Sequence, residues 1–206
     1  MRFIFLIILF PFLARPQAPH IFYAMDSITK QIAYRQYYTE NDLFAVDSMY
    51  VHARDLNKGN LPETFLSICF AVIPYNKVPI KVPIIHTILV FPLISSADSI
   101  FKLKNKRLPS HLFFDSPKEG DNDKNAHFFG SAFISYSSNI FDLGDVIGYF
   151  VEVFEESFEV QNQVDPRDME ANSLGQIFGR VIKTHKNVMP SQVMILKTLY
   201  HIRMNL

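Results

Sequence analysis

Apolar and polar positions divide the chain into stretches of different period. Residues 40–57 fit a helix, with Leu43, Phe44, Val46, Met49, Tyr50 and Val51 as its apolar positions, Gly59 suited to its C-terminal cap and Pro62 following as a breaker. Across residues 61–115 the period shifts. Pro74, Pro79, Pro83 and Pro92 recur too closely for a helix interior, and Ile80, Val82 and Ile84 alternate with other residues as in a strand. The nearly continuous apolar run 84–94 suits a buried strand and is too short to cross a bilayer as a helix. A basic stretch (Lys102, Lys104, Lys106, Arg107) then leads into a Pro/Ser/Asp/Gly-rich linker over 108–122, which reads as a lobe boundary. Beyond it the pattern turns helical. One helix is expected over 123–138 and a second from Asp142, with Asp145 at N3. A third starts at Asp165 as N-cap, with Pro166 at N1 and Asp168 at N3. Pro190 and Ser191 break the pattern before a last helix from Gln192 to about Met204. The whole predicts an α+β fold: a Pro-punctuated, extended, β-rich N-terminal lobe over 19–115, followed by a compact C-terminal bundle of about four helices over 121–206.

The first residues carry a different signal. Arg2 precedes an apolar run over residues 3–13, interrupted only by Pro11, and Ala14 and Ala18 are small residues at cleavage distance. The run is about half the roughly 20 residues that a spanning helix needs, so residues 1–18 read as a secretory signal peptide and the chain as exported, to the periplasm or cell envelope. Composition narrows the classes further. In 206 residues, 49% are hydrophobic and 19% charged, which supports a packed core, and the net charge of zero gives no global attraction for nucleic acid. Cys69 is the single cysteine, in an apolar stretch, so an internal disulfide, a Cys-based zinc site and a CxxC redox pair are all excluded.

Charge is segregated in the C-terminal half. Residues 142–170 hold Asp142, Asp145, Glu152, Glu155, Glu156, Glu159, Asp165, Asp168 and Glu170 against Arg167 alone, whereas residues 171–206 hold Arg180, Lys183, Lys186, Lys197 and Arg203 and no acid. Mutual neutralisation between packed helices is the simplest account, and contact of the basic end with lipid headgroups is the alternative. Each of three helices also carries a stripe of small or polar residues at helical spacing: Asp123, His127, Gly130 and Ser131; Gly148, Glu152, Glu155 and Glu156; Asp168, Asn172, Gly175 and Gly179. Glycines weaken helices, so Gly148, Gly175 and Gly179 point to close helix packing. If the stripes face one another, His127, Glu152, Asp168 and Asn172 meet in one polar cluster. Its structural use is to fix helix register; its chemical use is acid–base or metal chemistry by His127, Glu152, Glu156 and Asp168. No HExxH, EF-hand loop or Glu-x-x-His pair supports a metal, and neither a phosphate loop nor a nucleophile elbow occurs, so no metal or other cofactor is expected.

At these residues the chain resembles a known group. The run Asp123-Lys124-Asn125-Ala126-His127-Phe128 is similar to the "DKxxHF" opening of VanZ-like and YfiM-type bacterial envelope proteins, and Glu152 or Glu156 followed by Asp168, Asn172, Gly175 and Gly179 is similar to their glutamate and "D…N..G…G" pattern. The resemblance covers about residues 121–182. It implies an envelope location and no defined reaction; Asp123, Lys124, His127 and Asn172 are the candidate binding residues. The acidic residues of 142–159 depart from the apolar membrane helices of VanZ-like proteins and favour the YfiM-like type. Three functions follow as expectations, with a non-enzyme leading. The first is an envelope binding or assembly module with an envelope protein or lipid surface as partner. The second is a metal- or acid/base-dependent hydrolase of envelope lipid or glycan. The third is a peripheral membrane-docking protein.

Overall fold

Asn41 and Asn60 each start a helix by lending a side-chain oxygen to an otherwise unpaired backbone N–H, Asn41 to Leu43 and Asn60 to Glu63. The structure is a computed structural model, and it describes residues 18–34, 41–82, 87–92, 95–137 and 165–204. The helices are α1 (Ala18–Tyr34), α2 (Asp42–Leu56), α3 (Leu61–Val72), α4 (Asp98–Asn105), α5 (Lys124–Ser137), α6 (Pro166–Val181), α7 (Pro190–Met194) and α8 (Leu196–Met204). Strands β1 (Lys77–Val82) and β2 (Thr87–Pro92) pair antiparallel, with Lys77 opposite Pro92 and Val82 opposite Thr87. Among the described residues this hairpin is the only sheet.

The α+β expectation is therefore wrong: the molecule is an all-α bundle with one hairpin attached. The lobe expected to be β-rich holds α1 to α4, of which α2 alone was expected as a helix, over 40–57. Pro62 is the clearest cause. It does not break a helix; it sits in the first turn of α3, where a missing N–H matters least. The chain turns into that helix through Lys58 at φ 53° and Gly59 at φ +79°. A second cause is burial. Leu61, Phe65, Leu66, Ile68, Cys69, Ala71 and Val72 cover α3 on nearly all sides, so it shows no amphipathic period. Thr64 and Ser67 are buried too and are satisfied locally, Thr64 donating to the Asn60 carbonyl at 2.7 Å and Ser67 to that of Thr64 at 3.0 Å. The basic stretch at 102–107 belongs to the end of α4 and the turn after it, where cations suit the helix dipole. Pro190 likewise opens α7 instead of ending a helix, and the last helical segment divides at Ile195.

One hydrophobic core joins both sides of the 108–122 segment. α3 packs on α1, α2 and α5, and α5 packs on α6. Phe178 of α6 is the hub, with ring centroids of Tyr50 at 5.5 Å, Phe65 at 5.6 Å and Phe128 at 5.5 Å. Leu108, Leu112 and Phe113 of the loop are buried in the same cluster. Asp42 anchors that loop by accepting from the backbone N–H groups of Ser110 (2.8 Å) and His111 (2.7 Å). The signal peptide expected over 1–18, Ala18 apart, and the helix expected from Asp142 lie outside the described residues. No described helix is long and apolar enough to cross a membrane.

Candidate functional site

α5 and α6 are parallel neighbours. Their contacts advance in the same direction along both helices: Lys124 meets Asp168, His127 meets Asn172, and Ala132 meets Gly179. Two glycines allow the approach. A Cβ on Gly175 would overlap the Phe128 carbonyl, and one on Gly179 would overlap that of Ala132. Side-by-side parallel helices place two positive N-terminal dipole ends together. Asp121 and Asp123 sit at the start of α5, and Asp165 and Asp168 at the start of α6, so the carboxylates collect where the dipoles favour them.

Lys124 lies at the centre. Its side chain is 3% exposed, and Nζ is 2.5 Å from Asp168 Oδ1, 2.9 Å from Asp123 Oδ1, 3.3 Å from Asp165 Oδ2 and 3.9 Å from Asp121 Oδ1. Burial opposes the ammonium charge, but Asp168 and Asp123 outweigh it and hold the pKa above the ordinary lysine value. Arg167 closes the outer side, donating to Asp121 Oδ2 at 3.0 Å and to Asp165 Oδ2 at 3.2 Å. Burial raises the Asp121 pKa against the pull of Lys124 and Arg167. For Asp165 burial also pushes upward, and hydrogen bonds from the Arg167 backbone and guanidinium, with Lys124, overcome it to leave the pKa lowered.

One turn further in, His127 is 2% exposed between two acceptors, with Nδ1 3.1 Å from Asn172 Oδ1 and Nε2 3.3 Å from Asp168 Oδ1. Ser131 donates to the same Asn172 oxygen at 2.8 Å. Burial lowers the His127 pKa, exceeding the upward pull of Asp168 and Asp123. The structure thus gathers Asp123, Lys124, His127, Asp168, Asn172, Gly175 and Gly179 along one helix–helix seam. Glu152, Glu156 and Gly148, the other residues singled out from the sequence, lie outside the described residues.

Asp123, His127 and Asp168 each offer a ligand atom within 4.8 Å of the others, the donor set of a divalent-cation site. The Lys124 ammonium, however, already bonds Oδ1 of both Asp123 and Asp168. Sequence reasoning missed Asp121 and Arg167. Their only prior signal was position beside the two helix starts, and their pairing depends on those starts being adjacent. Cys69 is buried in α3 with its Sγ 3.6 Å from the Ala126 carbonyl, and burial drives its pKa well up, so the thiol is inert.

At the basic end, Lys197 pairs with Glu170 and, at 2.7 Å, with Asp115, while α8 buries none of its residues and exposes Leu199, Tyr200, Ile202 and Met204. Comparison with protein-family models, curated proteins and solved structures finds no match.

Proposed function

We propose that the chain is a non-enzymatic binding or assembly module of a bacterial cell envelope, in which the α5–α6 cluster is a structural lock. The observation that carries this reading is Lys124: a buried ammonium bonded to carboxylates from both helix starts already neutralises the acids of the cluster. Buried polar groups bonded only to one another fix register and leave little free chemistry. The envelope location rests on the leader-like residues 1–18 and on the resemblance to VanZ-like and YfiM-type proteins over 121–182. The partner class is an envelope protein or lipid surface.

A second reading is a metal- or acid/base-dependent hydrolase acting on envelope lipid or glycan. The convergence of Asp123, His127 and Asp168 favours it. One experiment separates the lock from the metal-dependent form of the hydrolase: metal content and thermal melts, with and without EDTA, of wild type and His127→Ala purified without added metal. The lock predicts no stoichiometric metal, no EDTA effect, and a His127→Ala protein less stable by about 1–3 kcal/mol from lost packing and hydrogen bonds. Bound metal, or a melt that EDTA shifts, would overturn the lock in favour of the hydrolase.

A further inference from the structure

The last helix is turned inside out. On α8, Lys197 and His201 lie one turn apart on one face, and that face is held to the body. Lys197 pairs with Glu170 and, at 2.7 Å, with Asp115, and the His201 ring stacks on Phe114 with centroids 4.3 Å apart. The other side carries Leu196, Leu199, Tyr200 and Ile202, with Ile195 just before the helix and Met204 at its end, all of them exposed. An ordinary surface helix does the reverse, burying its apolar stripe and showing its polar one. Half of the large apolar side chains exposed among the described residues lie within 195–204, so they form a patch and not a scatter. Arg203 falls on the same outer side, one turn after Leu199 and Tyr200, and is the charged group there.

We propose that α8 is a lipid-docking helix, which lays its outer side into the headgroup boundary of a bilayer that carries anionic phospholipid. This rests on the reading of the chain as a binding module and names the partner. Charge and shape select the occupant. Residues 171–206 contain no acid, so the complement of Arg203 comes from outside the segment. An anionic headgroup supplies it, while the arginine stem stays among apolar neighbours. A second copy set α8 against α8 would bury each Arg203 on a face with no acid to meet it. The helix is also a ridge: of the described elements it packs chiefly on α7, which it follows. A ridge sinks into a headgroup layer without a matching groove, and Tyr200 brings a ring for the apolar side and a hydroxyl for the wet one. No described helix is long and apolar enough to cross a membrane, and α8, with nine residues, is about 14 Å long, so it lies along the surface. The acids beside it, Asp115 and Glu170, are paired with Lys197, which lessens their repulsion of such a surface.

The test mixes the intact chain at low salt with sucrose-loaded vesicles of phosphatidylcholine, alone or with an equal part of phosphatidylglycerol, and measures the fraction that sediments. Wild type is expected to sediment with the mixed vesicles and less with phosphatidylcholine alone. Leu199→Glu changes an exposed side chain, so the fold does not depend on it, and is expected to lower the partition coefficient about tenfold or more, as the loss of one buried leucine implies. Arg203→Glu is expected to remove the preference for phosphatidylglycerol. Phe44→Glu, a like change at an exposed position of α2, is expected to bind as wild type does. Wild type left in the supernatant with both vesicles would overturn the proposal. So would a Leu199→Glu protein that sediments as wild type does, a Phe44→Glu protein that loses as much, or a lipid preference that Arg203→Glu leaves intact. A dimer in sedimentation equilibrium without vesicles, dissociated by Leu199→Glu, would also overturn it and give the face to a second copy. None of these results touches the binding-module reading, which stoichiometric metal in the purified chain would overturn whatever the vesicles show.

Discussion

Lys104 and Lys124 are both buried ammonium carriers, and their surroundings drive them in opposite directions. Lys124 has carboxylates from two helices and is held charged; Lys104 in α4 has the Ile73 carbonyl at 2.6 Å and the Phe101 ring, and burial lowers its pKa to about 7. The stability consequence of Lys104 has a definite sign. Its folded pKa lies below the unfolded value of roughly 10.4, so between pH 7 and 10 the unfolded chain binds more protons and stability rises with pH. The penalty of the buried lysine is full below pH 7. From pH 7 to 9 this group adds about 2–3 kcal/mol. Denaturant unfolding of wild type and Lys104→Met across that range checks it: the wild-type value climbs, the Met variant removes most of the climb, and at pH 6 the variant is as stable as wild type or more so, since an apolar isostere needs no ion partner. An unchanged slope in the variant would assign the pH dependence elsewhere. His127 acts in the same sense at lower pH. Its folded pKa is depressed by burial, so the stability it contributes is present above about 6.5 and is lost as the pH falls.

At the scale of elements, the α5–α6 pair depends on missing side chains as much as on present ones. Gly175 and Gly179 face backbone carbonyls on α5, and a methyl group at either position meets main chain, which cannot rotate away as a side-chain tip can. Ala is the better helix former by about 1 kcal/mol, so a gain is expected if only propensity matters. The overlap reverses it: Gly175→Ala is expected to lower stability by about 1–3 kcal/mol, measured by urea unfolding, and an increase in stability would show that the helices are not in contact there. The stripes that carry these glycines were legible in the sequence because helical spacing is local. The start of α6 was legible for the same reason: the side chain of Asp165 accepts from the Arg167 N–H at 2.9 Å, and Pro166 follows at the first turn. The helical nature of 61–72 was not, because a helix buried all round loses its period and its proline sits where proline is welcome.

For the whole molecule, the limit of sequence reading was the relative placement of elements. Spacing put His127, Asp168 and Asn172 on helix faces that the structure brings together. It could not show that α5 and α6 run parallel, and only that arrangement brings Asp121, Asp123, Asp165 and Asp168 around a single lysine. Asp121 and Arg167 therefore had no signal beyond their position beside the two helix starts. Burial of Leu108, Leu112 and Phe113 likewise ties the linker-like 108–122 segment into the common core, although its composition alone is that of a boundary. The most direct test of the lock is a double-mutant cycle at pH 7 on Lys124→Met and Asp168→Asn, read by urea unfolding. Removing Lys124 alone leaves buried carboxylates uncompensated and is expected to destabilise the chain by about 3–5 kcal/mol, with Asp168→Asn recovering at least about 1 kcal/mol of that as coupling energy. Additive effects of the two substitutions, or a Lys124→Met protein as stable as wild type, would contradict a structural role for the cluster.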